Sequence, residues 1–405
     1  MSKLIILRDE NFGRPQGGDP FTFGMGPSAP MSGLGAGDPP APSLSIEDVS
    51  KADMRDLGRD PAVRAVAAPM PTKLIEPMAG QSADAANATW GVAEVGAVDS
   101  PFDGSGVKVA VLDTGIDPNH EAFAGVTLDM KNFTGGPDDT PDGQGHGTHC
   151  AGTVFGRDTG GKRIGVATGV TDAMIGKVLA DSGGGSSEML FAGMQWAQQG
   201  GAKVISMSLG FDFPGMVERM IDAGWPKDLA ASAGLEAYRA NLRAFDALMD
   251  MFRAMAQFDG GTVVVAASGN ESRRDQNPNF EVSASLPSAA VGVVSVGALQ
   301  QGGNGLTVAG FSNTNPILSA PGVNVESAAV GGGTVAFNGT SMACPHVAGV
   351  AALWWQALSG TPVPLSADGV KARMRATADR TVFAAGVDIA DRGDGLVKAP
   401  GANMM

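Results

Sequence analysis

Five short, mostly apolar runs constrain this chain more than any other feature. Residues 107–112, 175–180, 204–209, 263–267 and 293–299 are each rich in Val, Ile, Leu and Ala and too short for a typical helix. Runs of this kind suit strands buried on both faces. Helical segments separate several of them, among them 188–199 and 341–359. Alternating strand and helix units predict an α/β fold, a parallel β-sheet flanked by helices on both faces. In such sheets ligands bind at the carboxyl ends of the strands. Hydrophobic residues make up 43% of the 405, enough for a core of that size, and 59 glycines suit tight turns and close backbone approach.

The formal net charge is −14, and no basic cluster interrupts it. Such a chain is repelled by phosphate backbones, so no nucleic-acid partner is expected. No stretch approaches a membrane span, so no membrane partner is expected either. The apolar run near the N-terminus is too short for a signal-peptide core, which reads as cytoplasmic, with signal-independent export left open. Cys150 and Cys344 do not form a disulfide framework; they read as free, buried thiols, compatible with a reducing compartment.

Three pieces are expected along the chain. Residues 1–42 are rich in Gly, Pro, Ser and Asp and read as a flexible arm. Residues 43–85 read as a small unit with a strand at 43–46, a helix at 49–57 and a strand at 62–67. It ends in Thr72-Lys73-Leu74-Ile75-Glu76-Pro77. Residues 86–405 hold the large α/β domain. Within it, Leu235, Tyr238, Leu242, Phe245, Met249 and Phe252 fall on one helical stripe, suited to packing on the sheet or to binding a partner.

Four segments carry chemistry, and each lies at the end of an element. Asp113 closes the first long buried strand, in Val109-Ala110-Val111-Leu112-Asp113-Thr114-Gly115. His146 lies in Gly145-His146-Gly147-Thr148-His149-Cys150. Asn270 follows the strand at 263–267, in Ala267-Ser268-Gly269-Asn270. Ser341 opens a helix, in Asn338-Gly339-Thr340-Ser341-Met342-Ala343. Alone, Asp113 reads as a turn or helix-cap residue, Asn270 as a turn amide and Ser341 as an N-cap. Together with His146 they supply a nucleophile, a base, a carboxylate to orient the base, and an amide donor for an oxyanion. A serine at a helix N-terminus also has free N–H groups and a favourable dipole for developing negative charge. Of the remaining histidines, His149 is expected to pack and bond within its helix, His120 to lie in a surface loop, and His346 to be structural.

These segments resemble the signature blocks of the subtilisin-like serine peptidases, in that family's order Asp, His, Asn, Ser. The likeness runs from about Trp90 to Ala399, and Cys150 is similar to the proteinase K branch. It implies a serine endopeptidase with an acyl-enzyme intermediate. It implies a peptide or protein substrate held as an added strand between Gly183, Gly184 and Gly185 on one side and Ser208, Leu209 and Gly210 on the other. Ala267, Ser268 and Gly269 would line the pocket before the scissile bond. The 43–85 unit resembles part of an inhibitory propeptide, implying a zymogen that cuts itself between about Glu76 and Ala88. Leu4 to Leu7 could supply a missing strand to it.

Two departures matter. Ala122 stands where the family's strong calcium site has an Asp, so no metal is assigned to that site; calcium stays possible through Asp138, Asp139 and Asp142. The connection at 211–258 is longer than usual, a helical insertion expected to wall the cleft or dock a partner. The competing readings are a dedicated maturation protease for one peptide or protein, an esterase, and a non-catalytic binding protein on the same scaffold. An esterase elbow would need glycine where Ala343 stands, and a binding protein should have lost one of the four groups.

Overall fold

The computed structural model describes residues 2–12, 42–50, 53–82, 87–362 and 364–402. The chain begins with β1 (Ser2–Asp9), β2 (Pro42–Val49), α1 (Asp53–Leu57), β3 (Val63–Ala67), β4 (Pro71–Leu74) and β5 (Met78–Ala79). It continues with α2 (Trp90–Glu94), β6 (Val109–Asp113), β7 (Thr127–Asn132), α3 (His146–Phe155), β8 (Asp172–Lys177), β9 (Gly184–Ser186) and α4 (Ser187–Gln199). Then come β10 (Val204–Met207), β11 (Leu209–Phe211), α5 (Phe213–Asp222), α6 (Lys227–Asp259) and β12 (Val263–Ala267). The last elements used below are β13 (Val294–Gly302), β14 (Gly305–Val308), β15 (Leu318–Pro321), β16 (Val325–Ala328), β17 (Thr334–Asn338) and α7 (Thr340–Ser359).

The central sheet runs β14-β13-β12-β10-β6-β8-β7, with β15 also paired to β13. All of these pairs are parallel except β13 with β14. Strands β6, β10 and β12 are buried along their whole length, which is why they carry no alternation. The chain leaves β6 for β8 and β7 on one side and for β10, β12 and β13 on the other. The order therefore reverses at the β6–β10 boundary, where a doubly wound sheet opens its ligand crevice. Asp113 ends β6 at that boundary, and Ser208 follows β10 there.

One core lies on the α3 and α7 side, centred on the buried helix α7 with Trp354, Leu353 and Val350. A second lies on the α4 and α6 side, with Phe191, Leu190, Phe245 and Leu248. Helix α6 is longer than the stripe at 235–256 suggested. Its second half buries Phe245, Leu248, Met249 and Phe252 on the sheet, whereas its first turns pack on α5. Residues 213–222 and the first turns of α6 thus form a helical hairpin.

The N-terminal region corrects one expectation. Residues 2–9 of the supposed 1–42 arm form a strand, β1, and it is the middle strand of a three-stranded antiparallel sheet, β2-β1-β3. Residues 13–41, the rest of that arm, lie outside the described residues. The helix expected at 49–57 is shorter, because Val49 ends β2 opposite Ser2. One face of the sheet buries Leu4 and Ile6 with Val49. The other turns Ile5, Leu7 and Ala67 into the same core as Phe191 and Phe245. Asn241 Nδ2 on α6 donates to the Ala68 carbonyl at 2.9 Å, and Gln195 on α4 donates to the Pro42 carbonyl.

Candidate active site

Asp113 is placed by the last residue of a buried strand, and His146 by the first residue of α3. His146 Nδ1 lies 2.8 Å from Asp113 Oδ1, and both side chains are buried. The Thr114 backbone N–H also donates to that carboxylate oxygen at 2.7 Å. Helix α3 reaches β6 this closely because Gly147 has no Cβ; one built there would collide with the Gly115 carbonyl. Asp142 braces the same corner. Its carboxylate accepts from Thr114 Oγ1, the Gln144 and Gly145 N–H groups, and both the N–H and Oγ1 of Thr148, at 2.7–3.0 Å. Burial pushes the Asp142 pKa up, but those hydrogen bonds outweigh it and leave the group below the usual carboxylate range. Asp142 thus accepts from three backbone N–H groups and two threonine hydroxyls.

Ser341 lies in the first turn of α7. Its Oγ is 3.3 Å from the Ile75 carbonyl oxygen and 3.3 Å from the Ser208 carbonyl oxygen. His146 Nε2 has no hydrogen-bond partner among the described residues. Asn270 sits directly beside the serine turn. Its Oδ1 accepts from Thr340 N and Thr340 Oγ1, each at 2.9 Å, and Thr340 Oγ1 accepts from the Gly269 N–H at 3.2 Å. These bonds fix the amide so that Nδ2 faces the cleft, where it lies 3.4 Å from the Glu76 carbonyl oxygen. Thr340 was missed in the sequence; its place beside Ser341 was visible, but its partner is 70 residues away.

The cleft is filled by the chain itself. Strand β4 lies antiparallel to β11, with Lys73 opposite Gly210 and Leu74 opposite Leu209. On its other side β4 pairs with β9, placing Thr72 opposite Gly185 and Lys73 opposite Gly184. The Leu74 N–H donates to the Gly183 carbonyl at 2.8 Å. Gly185 must lack a Cβ, because one would meet both the Val178 carbonyl and Thr72 Oγ1. The Ile75 side chain is buried beside Gly210, where an added Cβ would meet it at 3.5 Å. Beyond the serine, β5 pairs Met78 with Asn338 and Ala79 with Phe337 of β17. The chain thus crosses the site as one extended strand, with the Ile75–Glu76 peptide over Ser341. Residues 76–88, where a cut was expected, begin past that point, and 83–86 lie outside the described residues.

All six cleft residues are brought together: Gly183, Gly184 and Gly185 on β9 and its turn, and Ser208, Leu209 and Gly210 at β11. Ala267 ends β12, and Ser268 and Gly269 follow it toward Asn270; Ala267 and Ser268 are buried. The other histidines are structural. His149 Nε2 meets the Val325 carbonyl at 3.0 Å on β16, outside its own helix, and the ring packs on Phe337. Burial and the neighbouring His146 push its pKa down to about 3. His346 bonds to the Met342 carbonyl at 2.8 Å, and burial pushes it down to about 4. His120, expected in a surface loop, is instead buried. Its Nδ1 accepts from the Ala122 N–H and its Nε2 lies 2.8 Å from the Gly333 carbonyl.

Cys150 Sγ lies 3.8 Å from His146 Nδ1, and burial holds its pKa well above that of an ordinary thiol. Cys344 is buried beside Ser206, with its pKa raised to about 11. Both are free.

Residues 104–397 match the model of the subtilase family, Peptidase_S8. An alkaline protease of Alkalihalobacillus alcalophilus is 34% identical over 318 residues, 77% of this chain and 68% of the relative. Subtilisin DY of Bacillus licheniformis is 36% identical over 280 residues, 68% of this chain and 85% of the relative. Subtilisin Savinase of Lederbergia lenta is 35% identical over 270 residues, 65% of this chain and 82% of the relative. With the doubly wound sheet opening at Asp113 and a peptide strand lying across Ser341, the chain belongs to the subtilase family and is a serine-type endopeptidase acting on peptide or protein substrates.

Proposed function

We propose that Asp113, His146 and Ser341 form the catalytic triad, that Asn270 is an oxyanion donor, and that the first bond cut is Ile75–Glu76 of the same chain. The observation that carries this reading is the path of residues 71–79, which follow the route a substrate strand would take. Strand addition gives main-chain affinity, and pockets for individual side chains give selectivity.

The chemistry then follows from the groups in place. The Ser341 side chain turns from the two carbonyls to His146 Nε2, whose other nitrogen is already held by Asp113. Oγ attacks the Ile75 carbonyl carbon while Nε2 takes its proton. Asn270 Nδ2, which here faces the Glu76 carbonyl at 3.4 Å, shifts by one carbonyl to meet the oxyanion on Ile75, together with the N–H groups at the start of α7. Collapse breaks the C–N bond, and the proton passes from His146 to the Glu76 nitrogen. Water, deprotonated by His146, releases residue 75 from the serine. Ile75 as the residue before the cut is favoured over Glu76. Ser341 Oγ faces the Ile75 carbonyl, the Ile75 side chain is the one packed at Gly210, and the bond after Glu76 leads into Pro77.

The test is N-terminal sequencing of the wild-type chain beside Ser341→Ala, together with labelling by a fluorophosphonate probe. A wild-type product starting at Glu76, and neither product nor label in the variant, is expected. Identical N-termini in both chains would sink the reading of self-cleavage.

A further inference from the structure

The insertion forms a cavity beside the filled cleft. It measures about 310 Å³ and is walled mainly by Phe211, Phe213, Leu235, Tyr238 and Val282. Phe213 and Tyr238 meet edge to face with ring centroids 6.3 Å apart, and the Tyr238 hydroxyl accepts from the Leu286 N–H at 3.0 Å, so that wall is fixed. Leu235 and Val282 are among the few large apolar side chains left exposed, at 51% and 47%.

Of residues 71–76, Lys73 alone lines this cavity. Thr72 points at Gly185, Leu74 packs on Gly183 and Ile75 lies against Gly210, so each is already enclosed. The Lys73 ammonium is drawn away to Asp212, at 3.6 Å. Asp212 is also bonded to the Gly215 N–H at 3.1 Å and to Arg219 at 3.2 Å, which divides its charge. The Lys73 side chain is 42% exposed. An ion pair that exposed shifts an equilibrium by about fivefold at most. A large apolar side chain moved from water into such a cavity shifts it by about tenfold or more.

We infer that this cavity is a specificity subsite for the third residue before the scissile bond, and that it selects a large apolar or aromatic side chain. The inference rests on the cleft reading above. Lys73 fills the subsite poorly, so a better substrate displaces the chain's own segment once it is cut. Phe213, Leu235 and Tyr238 are the specificity-determining residues, contributed by the helical hairpin.

The test uses the full chain carrying Ser341→Ala, in which the segment stays in place and no catalysis is needed. Hydrogen exchange is followed at the Leu74 amide, which is bonded to the Gly183 carbonyl. Lys73→Phe should slow that exchange by about tenfold relative to Lys73→Ala, and Lys73→Leu should act in the same direction if the ring is too large. Adding Leu235→Glu, a change at a half-exposed position, should erase the gain. Equal exchange in Lys73→Phe, Lys73→Leu and Lys73→Ala, or a gain that survives Leu235→Glu, would overturn the inference. A matching readout is cleavage by the processed enzyme of Thr-X-Leu-Ile-Glu peptides, where X as Phe should exceed X as Lys in kcat/KM. A preference for Lys would also overturn it. Failure of the catalytic reading would be seen separately, as absent fluorophosphonate labelling of the serine-bearing chain.

Discussion

The N-terminal sheet and the catalytic domain are built on opposite principles. The catalytic domain has two large cores, one on each face of its sheet. Among the described residues, the N-terminal unit has one small cluster of its own, Leu4, Ile6 and Val49 with the partly buried Leu57, Val63, Val66 and Ala68, and its other face completes a core shared with α4 and α6. Small units bury too little surface to stand alone. The comparison teaches that this inhibitor-like unit derives its order from the enzyme it covers. The cut proposed at Ile75–Glu76 would therefore loosen it, although every contact would still be available.

Separating the two regions chemically gives the largest expected effect. Ser341→Ala should lower self-cleavage by about a millionfold, leaving one full-length band on a gel, while the N-terminal sheet still docks. Asn270→Ala should lower the cleavage rate by about 10²–10³-fold in the same assay, since it removes one donor and leaves β4 paired. Detectable cleavage at wild-type rate in either variant would break the assignment of chemistry to the catalytic domain alone.

Truncation on the N-terminal side should spare the catalytic domain. Ile5→Ala and Leu7→Ala should each cost about 2–5 kcal/mol of docking, read as faster exchange and proteolysis of residues 2–75 in the Ser341→Ala chain. The melting of the catalytic domain should move less, because it loses only the stabilisation that the docked sheet lends it. A shared, single transition that shifts equally would show that the two regions form one cooperative unit.

Acid should separate the two regions in the reverse sense. All four histidines lie in the catalytic domain, and His149 and His346 are held neutral by burial with values of about 3 and about 4. An unfolded imidazole takes up its proton near pH 6.5, so the unfolded chain binds more protons below that. Stability contributed by these two groups is full above about pH 6.5 and falls as pH drops toward about 4 and below. Melting of Ser341→Ala followed from pH 8 to pH 4 should show that decline, and His149→Gln should flatten it. A flat profile in the parent would refute the burial argument.

The smallest expected effect concerns Cys150. A mercurial should inhibit the processed enzyme, because the thiol touches the His146 ring. The uncut Ser341→Ala chain should take up mercury at Cys150 more slowly, by mass spectrometry, because residues 71–79 lie over the site. Full activity with Cys150 modified would remove it from any role beside the base.

Much of this was legible in the sequence because it is local. Strands β6, β10 and β12 announce themselves as buried runs, and Asp113, Asn270 and Ser341 sit at element ends that the same runs define. What was not legible depends on pairing across distance. Leu4 to Leu7 were legible as a strand that could join the N-terminal unit, but nothing nearby says that it will lie in the middle, between two strands from beyond residue 41. The position of Ile75 over Ser341 depends on the register of β4 with β9 and β11, set by glycines more than a hundred residues away. His120 looked like a loop residue because its acceptor, the Gly333 carbonyl, comes from a distant turn.

The middle position of β1 also has a consequence for the order of events on the ribosome. Strands β1 to β3 are made before the rest, but the face that carries Ile5, Leu7 and Ala67 has no core to join until α4 and α6, ending at Asp259, have followed them. Ser341 is added later still, and at about 5–20 residues per second the interval is several seconds. The segment that crosses the site is thus made long before the nucleophile, and Ser341 is always added to a chain that already carries its own β4.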